Sequence, residues 1–125
     1  MRVLVENALR AAAGVALAGC LAAVAPAHAA SFEGQWSVVV TPEDGSCDGP
    51  YVLPVKVLDN RIIYIGKGQF EAQGGVEPNG AVRVTFASQG DRLDASGKMK
   101  SEVLGFGKWT SPTEKCGGTW VARKR

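Results

Sequence analysis

The sequence predicts an all-β domain: a small eight-stranded antiparallel up-and-down barrel with one disulfide, preceded by a signal peptide. From residue 34 onward, apolar and polar residues alternate in short runs, and no stretch has a helical period long enough to propose a helix. Turn-forming clusters separate these runs at a spacing of about 8 to 12 residues, which is typical of a barrel or a sandwich. The first and last runs share a Gly-x-Trp pattern near a cysteine, and their pairing would close a barrel.

The first 29 residues have the pattern of a secretory signal peptide. Two arginines accompany an Ala/Leu/Val run over 11–25, and Ala27-His28-Ala29 supplies a small-x-small cleavage site. We therefore expect cleavage after Ala29, a single domain over 30–125, and a periplasmic or secreted protein. The apolar run is short for a transmembrane helix, so no integral membrane span is expected.

An alternative processing site lies inside the same run. Leu17-Ala18-Gly19-Cys20 resembles the lipobox of bacterial lipoproteins, in which the cysteine is lipidated and becomes the first residue. Because Leu21 follows and the apolar run continues to Ala29, cleavage after Ala29 is favoured, and a lipoprotein anchored through Cys20 is the alternative.

The first predicted strand, 34–41, places Trp36, Val38 and Val40 on one face, and the turn-forming stretch 42–46 is expected to end it. The second strand, 51–58, places Leu53, Val55 and Val57 on one face. Pro54 in this strand predicts an edge or bulged position. Asp59-Asn60 then predicts a two-residue hairpin turn of the left-handed kind.

The remaining strands are separated by equally clear turn signals. Gly66-Lys67-Gly68 and Glu77-Pro78-Asn79-Gly80 bracket the fourth strand. The fifth strand has the clearest alternation, with Val82, Val84 and Phe86 on one face. The third to eighth strands are predicted over 61–65, 69–76, 81–88, 92–100, 104–110 and 118–123.

Cys47 and Cys116 are the two cysteines that remain after the predicted cleavage. If the first and last strands pair antiparallel, Cys47, beyond the end of one, lies near Cys116, at the start of the other. In an oxidising compartment a disulfide closing so long a loop contributes on the order of 4 kcal/mol.

Gly-x-Trp occurs three times, ending at Trp36, Trp109 and Trp120, and accounts for every Trp in the chain. Residues two apart share one face of a strand, so each glycine is expected to leave room for the indole that follows it. The simplest interpretation is that the three indoles pack at the barrel ends.

The sequence gives no indication of catalysis, of a metal or cofactor, or of nucleic-acid binding. His28 is the only histidine and lies in the predicted signal peptide, so no imidazole remains for a nucleophilic or zinc site. Removing two basic and one acidic residue with the signal leaves 12 basic and 11 acidic residues, interspersed along the chain. For haem, the available axial ligands are Tyr51, Tyr64 and Met99.

Gly34, Trp36 and Arg123 resemble the signature of the calycin superfamily, which includes lipocalins and avidins. The resemblance implies an eight-stranded barrel in which the arginine packs across the Trp at the closed end. The whole layout also resembles small exported bacterial proteins of uncharacterised function, some of which carry a haem-utilisation label. A further resemblance, to small periplasmic barrels that inhibit secreted metalloproteases, implies a protein partner.

We expect a non-enzymatic monomer that holds a small apolar or aromatic ligand, with a haem-related ligand as one possibility. Barrel mouths are a recurrent ligand position, and Trp109, Tyr64 and Phe70 are the expected contact residues. The alternative is a periplasmic protein-interaction or protease-inhibitor-like role, in which 30–32 or the loop 42–50 inserts into a partner.

Overall fold

In a computed structural model, which describes residues 31–125, the chain forms a closed barrel of eight antiparallel strands in sequence order. Each strand pairs with the next, and the last pairs with the first. This confirms the all-β barrel and excludes the sandwich. The predicted signal peptide, residues 1–29, and the alternative at Cys20 lie outside the described residues. The strands are β1 (Gly34–Asp44), β2 (Tyr51–Leu58), β3 (Arg61–Tyr64), β4 (Glu71–Val76), β5 (Ala81–Ser88), β6 (Asp91–Met99), β7 (Leu104–Ser111) and β8 (Cys116–Lys124).

The turn predicted over 42–46 is wrong in its first half, because β1 continues to Asp44. The pairing of β1 with β2 ends at Val40, whereas its pairing with β8 continues past Pro42 through a bulge. Pro42 therefore lies where a single strand flanks β1, and a proline is tolerated at such an edge-like position. The continuation of β1 is matched by β8, which begins at Cys116, two residues earlier than predicted.

Pro54 lies within β2, which has a neighbour on each side and is not an edge strand. The amide of Ile65, one residue beyond the end of β3, donates to the carbonyl of Pro54 at 3.0 Å. On an antiparallel strand the nitrogen and oxygen of one residue face the same neighbour. The ring nitrogen of Pro54 therefore also faces Ile65, and the missing N–H removes the second hydrogen bond of this pair, at the point where β3 ends.

The predicted hairpin at Asp59-Asn60 is confirmed. Both residues have positive φ angles, 53° and 64°, and they join β2 directly to β3. This left-handed geometry matches the twist of a two-residue hairpin, and Asp and Asn tolerate it better than most residues.

Because consecutive strands run in opposite directions, the loops alternate between the two ends of the barrel. We call the end formed by 45–50, 65–70, 89–90 and 112–115 the disulfide end. The other end, formed by 31–33, 59–60, 77–80 and 100–103, is called the closed end. The predicted disulfide is confirmed: Cys47 and Cys116 are bonded, with a Cα–Cα distance of 5.9 Å.

The barrel interior is filled by the inward faces of the strands. Trp36, Val40, Val55, Val57 and Val82 are among its buried side chains, as the alternation predicts. An entirely apolar space of about 50 Å³ remains between the packed side chains. The interior is therefore a packed core and not an open cup.

Candidate functional site at the disulfide end

The closed end is sealed by the segment that precedes β1. Phe32 is buried, and the Trp36 indole nitrogen donates to its carbonyl oxygen at 2.8 Å. The Glu33 carboxylate accepts from the amides of Asp59 and Asn60 at 2.7 and 3.1 Å, which fixes this segment to the β2–β3 turn. This end offers no opening to the interior at Trp36, which is 1% exposed.

The calycin resemblance implied that Arg123 packs against Trp36, but the cation packed there is Lys124. The Lys124 Nζ atom lies 5.8 Å from the centre of the Trp36 ring, whereas Arg123 is exposed. Trp36 is paired with Lys124 in the β1–β8 register. Side chains alternate between the faces of a strand, so Arg123, one residue earlier, points to the outer surface. Gly34 lies beside the same lysine: a Cβ there would be 3.2 Å from its Cε.

The role predicted for the Gly-x-Trp glycines is also corrected. The Trp120 ring lies over its register partner Gly107 on β7 and over Gly97 on β6, the strand beyond: a Cβ on Gly97 would lie 2.6 Å, and one on Gly107 2.8 Å, from the ring. The Trp120 indole nitrogen donates to the Ser96 carbonyl at 3.1 Å. Directly opposed residues on neighbouring strands are closer than residues two apart on one strand. Space for an indole therefore comes from glycines across the sheet.

A cleft opens at the disulfide end, and Tyr64, Phe70 and Trp109 all line it. They come from the end of β3, the β3–β4 loop and β7, so the fold brings together the three residues that the sequence predicted. Tyr64 and Phe70 form an edge-to-face pair with ring centres 4.9 Å apart.

The three aromatic residues differ in exposure. Trp109 is 5% exposed, and its indole nitrogen donates to the carbonyls of Thr119 and Thr41 at 3.0 and 3.3 Å. It therefore forms part of a fixed floor. Phe70 is 40% exposed and stands at the rim. The Tyr64 hydroxyl donates to the Lys67 carbonyl at 2.8 Å, which holds the ring against the β3–β4 loop.

The floor of the cleft is also the roof of the packed interior. Val40, Leu53, Phe86, Leu93 and Trp109 line both spaces. A molecule in the cleft would thus rest on an apolar surface, with the disulfide at one side.

Polar groups form the rim. Asp48, Asp91 and Glu114 line the cleft from three different loops or strand ends, and Arg92 lies among them. These charged residues were not predicted as part of the ligand site, because each belongs to a turn or to the polar face of a strand, where a solvated charge is the ordinary interpretation.

The possible haem ligands lie at opposite ends of the barrel. Tyr51 and Tyr64 both line the cleft at the disulfide end, whereas Met99 is buried at the closed end, where β6 terminates. Within residues 31–125, no three His, Cys, Asp or Glu side chains form a group suited to a metal ion. The same residues contain no helix long and apolar enough to cross a membrane.

These features define a disulfide-bonded, closed antiparallel barrel with an aromatic cleft at one end. The chain matches no protein-family model, no curated protein and no solved structure. Its function is therefore inferred from the geometry of the cleft and of the barrel surface.

Proposed function

We propose that the protein is an exported, non-enzymatic binding module that holds a small apolar or aromatic ligand in the cleft at the disulfide end. The observation that carries the proposal is the convergence of Tyr64, Phe70 and Trp109 on one cleft above an apolar floor. Ligand sites are commonly concave, apolar and lined by aromatic side chains with a few polar groups.

The ligand is assigned to the cleft because the barrel interior is too full. Its free space is about 50 Å³, whereas an engineered apolar cavity of about 150 Å³ binds benzene. A ligand the size of one aromatic ring would have to displace side chains that also form the core. In the cleft it would contact the exposed edge of Phe70 without disturbing that core.

A periplasmic or secreted location and a calycin-like fold belong to the same proposal. The disulfide supports an oxidising compartment. The strand order, each strand beside the next around a closed barrel, is compatible with a calycin-like fold. The lysine in place of the expected arginine at Trp36 is the departure from that pattern.

The proposal is tested by titrating the exported, disulfide-bonded protein with a set of small aromatic compounds and following amide chemical shifts by NMR. We expect shifts concentrated in β3, the 65–70 loop and β7. Phe70→Ala should weaken binding about tenfold, since it removes partly exposed contact area. Phe106→Ala is the matched control, because Phe106 is 45% exposed but lies on the outer wall of β7. Equal effects of the two substitutions would refute the cleft as the site.

A second candidate function is binding to a protein partner, which a row of apolar residues on the outer wall favours. Val52, Val39, Val121 and Phe106 are successive register partners across β2, β1, β8 and β7. Val52 and Phe106 are exposed. Insertion of the N-terminal segment at Phe32 is not supported, because that side chain is buried in the closed end.

The two candidates are separated by periplasmic cross-linking through a photoreactive residue placed at Phe106, on the outer wall, or at Phe70, in the cleft. A protein that is cross-linked from Phe106, and no longer cross-linked in a Val121→Asp variant, would favour the partner-binding role. Absence of a cross-linked protein at Phe106 would count against that role.

A further inference from the structure

We propose that the cleft selects ligands that carry a positive charge beside their apolar or aromatic body. This inference rests on the proposed function of the cleft, and it adds the chemical class of the ligand. Three features support it: the carboxylates of the rim, the ion pair that Arg92 forms with Asp94, and the distribution of charge between the two barrel ends.

The rim carries three carboxylates that lie on separate parts of the chain. Asp48 lies in the β1–β2 loop, Asp91 at the start of β6, and Glu114 in the β7–β8 turn. All three are exposed. A cation in the cleft would therefore be attracted from three sides.

Arg92 is the one cation among the described residues that line the cleft, and its charge is compensated locally. Its Nη2 atom lies 3.1 Å from an Asp94 carboxylate oxygen. The other oxygen of that carboxylate accepts from the Thr85 hydroxyl at 2.9 Å, so the side chain that pairs with Arg92 is itself positioned. Because Arg92 is paired with Asp94, no other cation of the cleft lining neutralises the rim carboxylates of Asp48, Asp91 and Glu114.

Acidic and basic residues are interspersed along the sequence, but the fold distributes them unequally between the two ends of the barrel. Counting the loops and the two adjoining residues of each strand, the disulfide end has six carboxylates and three cations, whereas the closed end has six cations and four carboxylates. The basic segment 123–125 contributes half of the cations at the closed end. The long-range field therefore draws cations to the end that carries the cleft and repels anions from it.

An organic cation fits this arrangement better than a metal ion. The carboxylates do not converge, since no three acidic, His or Cys side chains of residues 31–125 form a metal-binding group. Tyr64 and Phe70 present aromatic surface beside them, and aromatic faces attract ammonium and guanidinium groups. Separated charges around an aromatic cleft suit a cation attached to an apolar body.

The test uses three probes with one naphthalene body: naphthylmethylamine as the cation, naphthylmethanol as the neutral compound and naphthylacetate as the anion. Binding to the exported, disulfide-bonded protein is measured by NMR titration at low and at physiological ionic strength. We expect the cation to bind about tenfold more tightly than the neutral compound at low salt, and the preference to shrink as salt screens the rim. The anion should bind most weakly.

Two double variants with the same change in net charge locate the effect. D48N/E114Q removes rim charge and should reduce the preference for the cation several-fold, with the affinity for naphthylmethanol unchanged. E77Q/E102Q removes charge at the closed end and should leave the preference intact. All four positions are exposed, and retained near-ultraviolet circular dichroism would show that the variants are folded.

The outcomes separate the two proposals. Naphthylmethanol binding in the cleft without a preference for the cation would overturn the charge selection and leave the binding module standing. Equal loss of preference in both double variants would also overturn it, because the rim would have no special role. If no probe shifts the cleft resonances, the charge selection and the proposed function both fail.

Discussion

Removal of the Cys47–Cys116 bond should cost a large part of the stability of this domain. The two cysteines are 69 residues apart in sequence. A cross-link closing a loop of that size lowers the entropy of the unfolded chain, which raises its free energy by about 4 kcal/mol at 25 °C. Small domains have a total free energy of unfolding of about 5 to 15 kcal/mol. The bond also joins the β1–β2 loop to the first residue of β8, so it reinforces the seam that closes the barrel.

The assay is urea unfolding of the oxidised protein and of the C47S/C116S variant, followed by Trp fluorescence. With a urea dependence of about 1 to 2 kcal/mol per molar, the midpoint should fall by about 2 to 4 M. Reductant should lower the midpoint of the wild type and leave that of the variant unchanged. Identical midpoints for the wild type with and without reductant would refute the reasoning.

Three further substitutions probe the packing of the indoles. Lys124→Ala should lower the free energy of unfolding by about 0.5 to 1 kcal/mol, because the cation over the Trp36 ring is lost. Arg123→Ala is the control. A larger loss of stability in Arg123→Ala than in Lys124→Ala would contradict the lysine contact and favour the arginine contact that the calycin resemblance implied. Trp36→Phe should cost about 2 kcal/mol or more, because a buried carbonyl loses its donor and a cavity forms; a cost below 0.5 kcal/mol would contradict the closed-end seal. Gly107→Ala should cost about 1 to 3 kcal/mol or more, because the added Cβ would overpack against the Ser96 carbonyl and the Trp120 indole across the sheet. The outward Lys108→Ala should have little effect, and calorimetry distinguishes the two variants.

The strand pattern of this chain was predictable because a single rule governs it. In a closed barrel each strand buries one face, so alternation locates the inward residues of β1, β2 and β5 without knowledge of their neighbours. The disulfide followed from the pairing of the first and last strands. The Asp59-Asn60 turn was predictable because few residue types accept two successive positive φ angles.

The errors concern contacts between strands whose register the sequence does not specify. Lys124 and Arg123 differ by one position, and only the β1–β8 register decides which of them points at Trp36. The glycines under Trp120 could be identified only once β6, β7 and β8 were aligned. The acidic rim was missed because its carboxylates are distant in sequence, and the alternation of the loops brings them to one end of the barrel.

The closed-end seal was also missed, although Phe32 and Glu33 directly precede the first strand. An aromatic residue four positions before an indole gives no periodic signal, and the acceptor role of Glu33 depends on the placement of the 59–60 turn. Both features are specified by tertiary contacts and have no counterpart in local propensity.

Native mass spectrometry of the full-length gene product, expressed in a Gram-negative host and purified from its export compartment, is the most direct test of the proposed binding module. We expect a disulfide-bonded chain beginning at Ala30 that carries, or on addition takes up, one small aromatic molecule, and a Phe70→Ala variant that loses it. A mass without any adduct, unchanged by added aromatic compounds of any charge, would contradict the proposal.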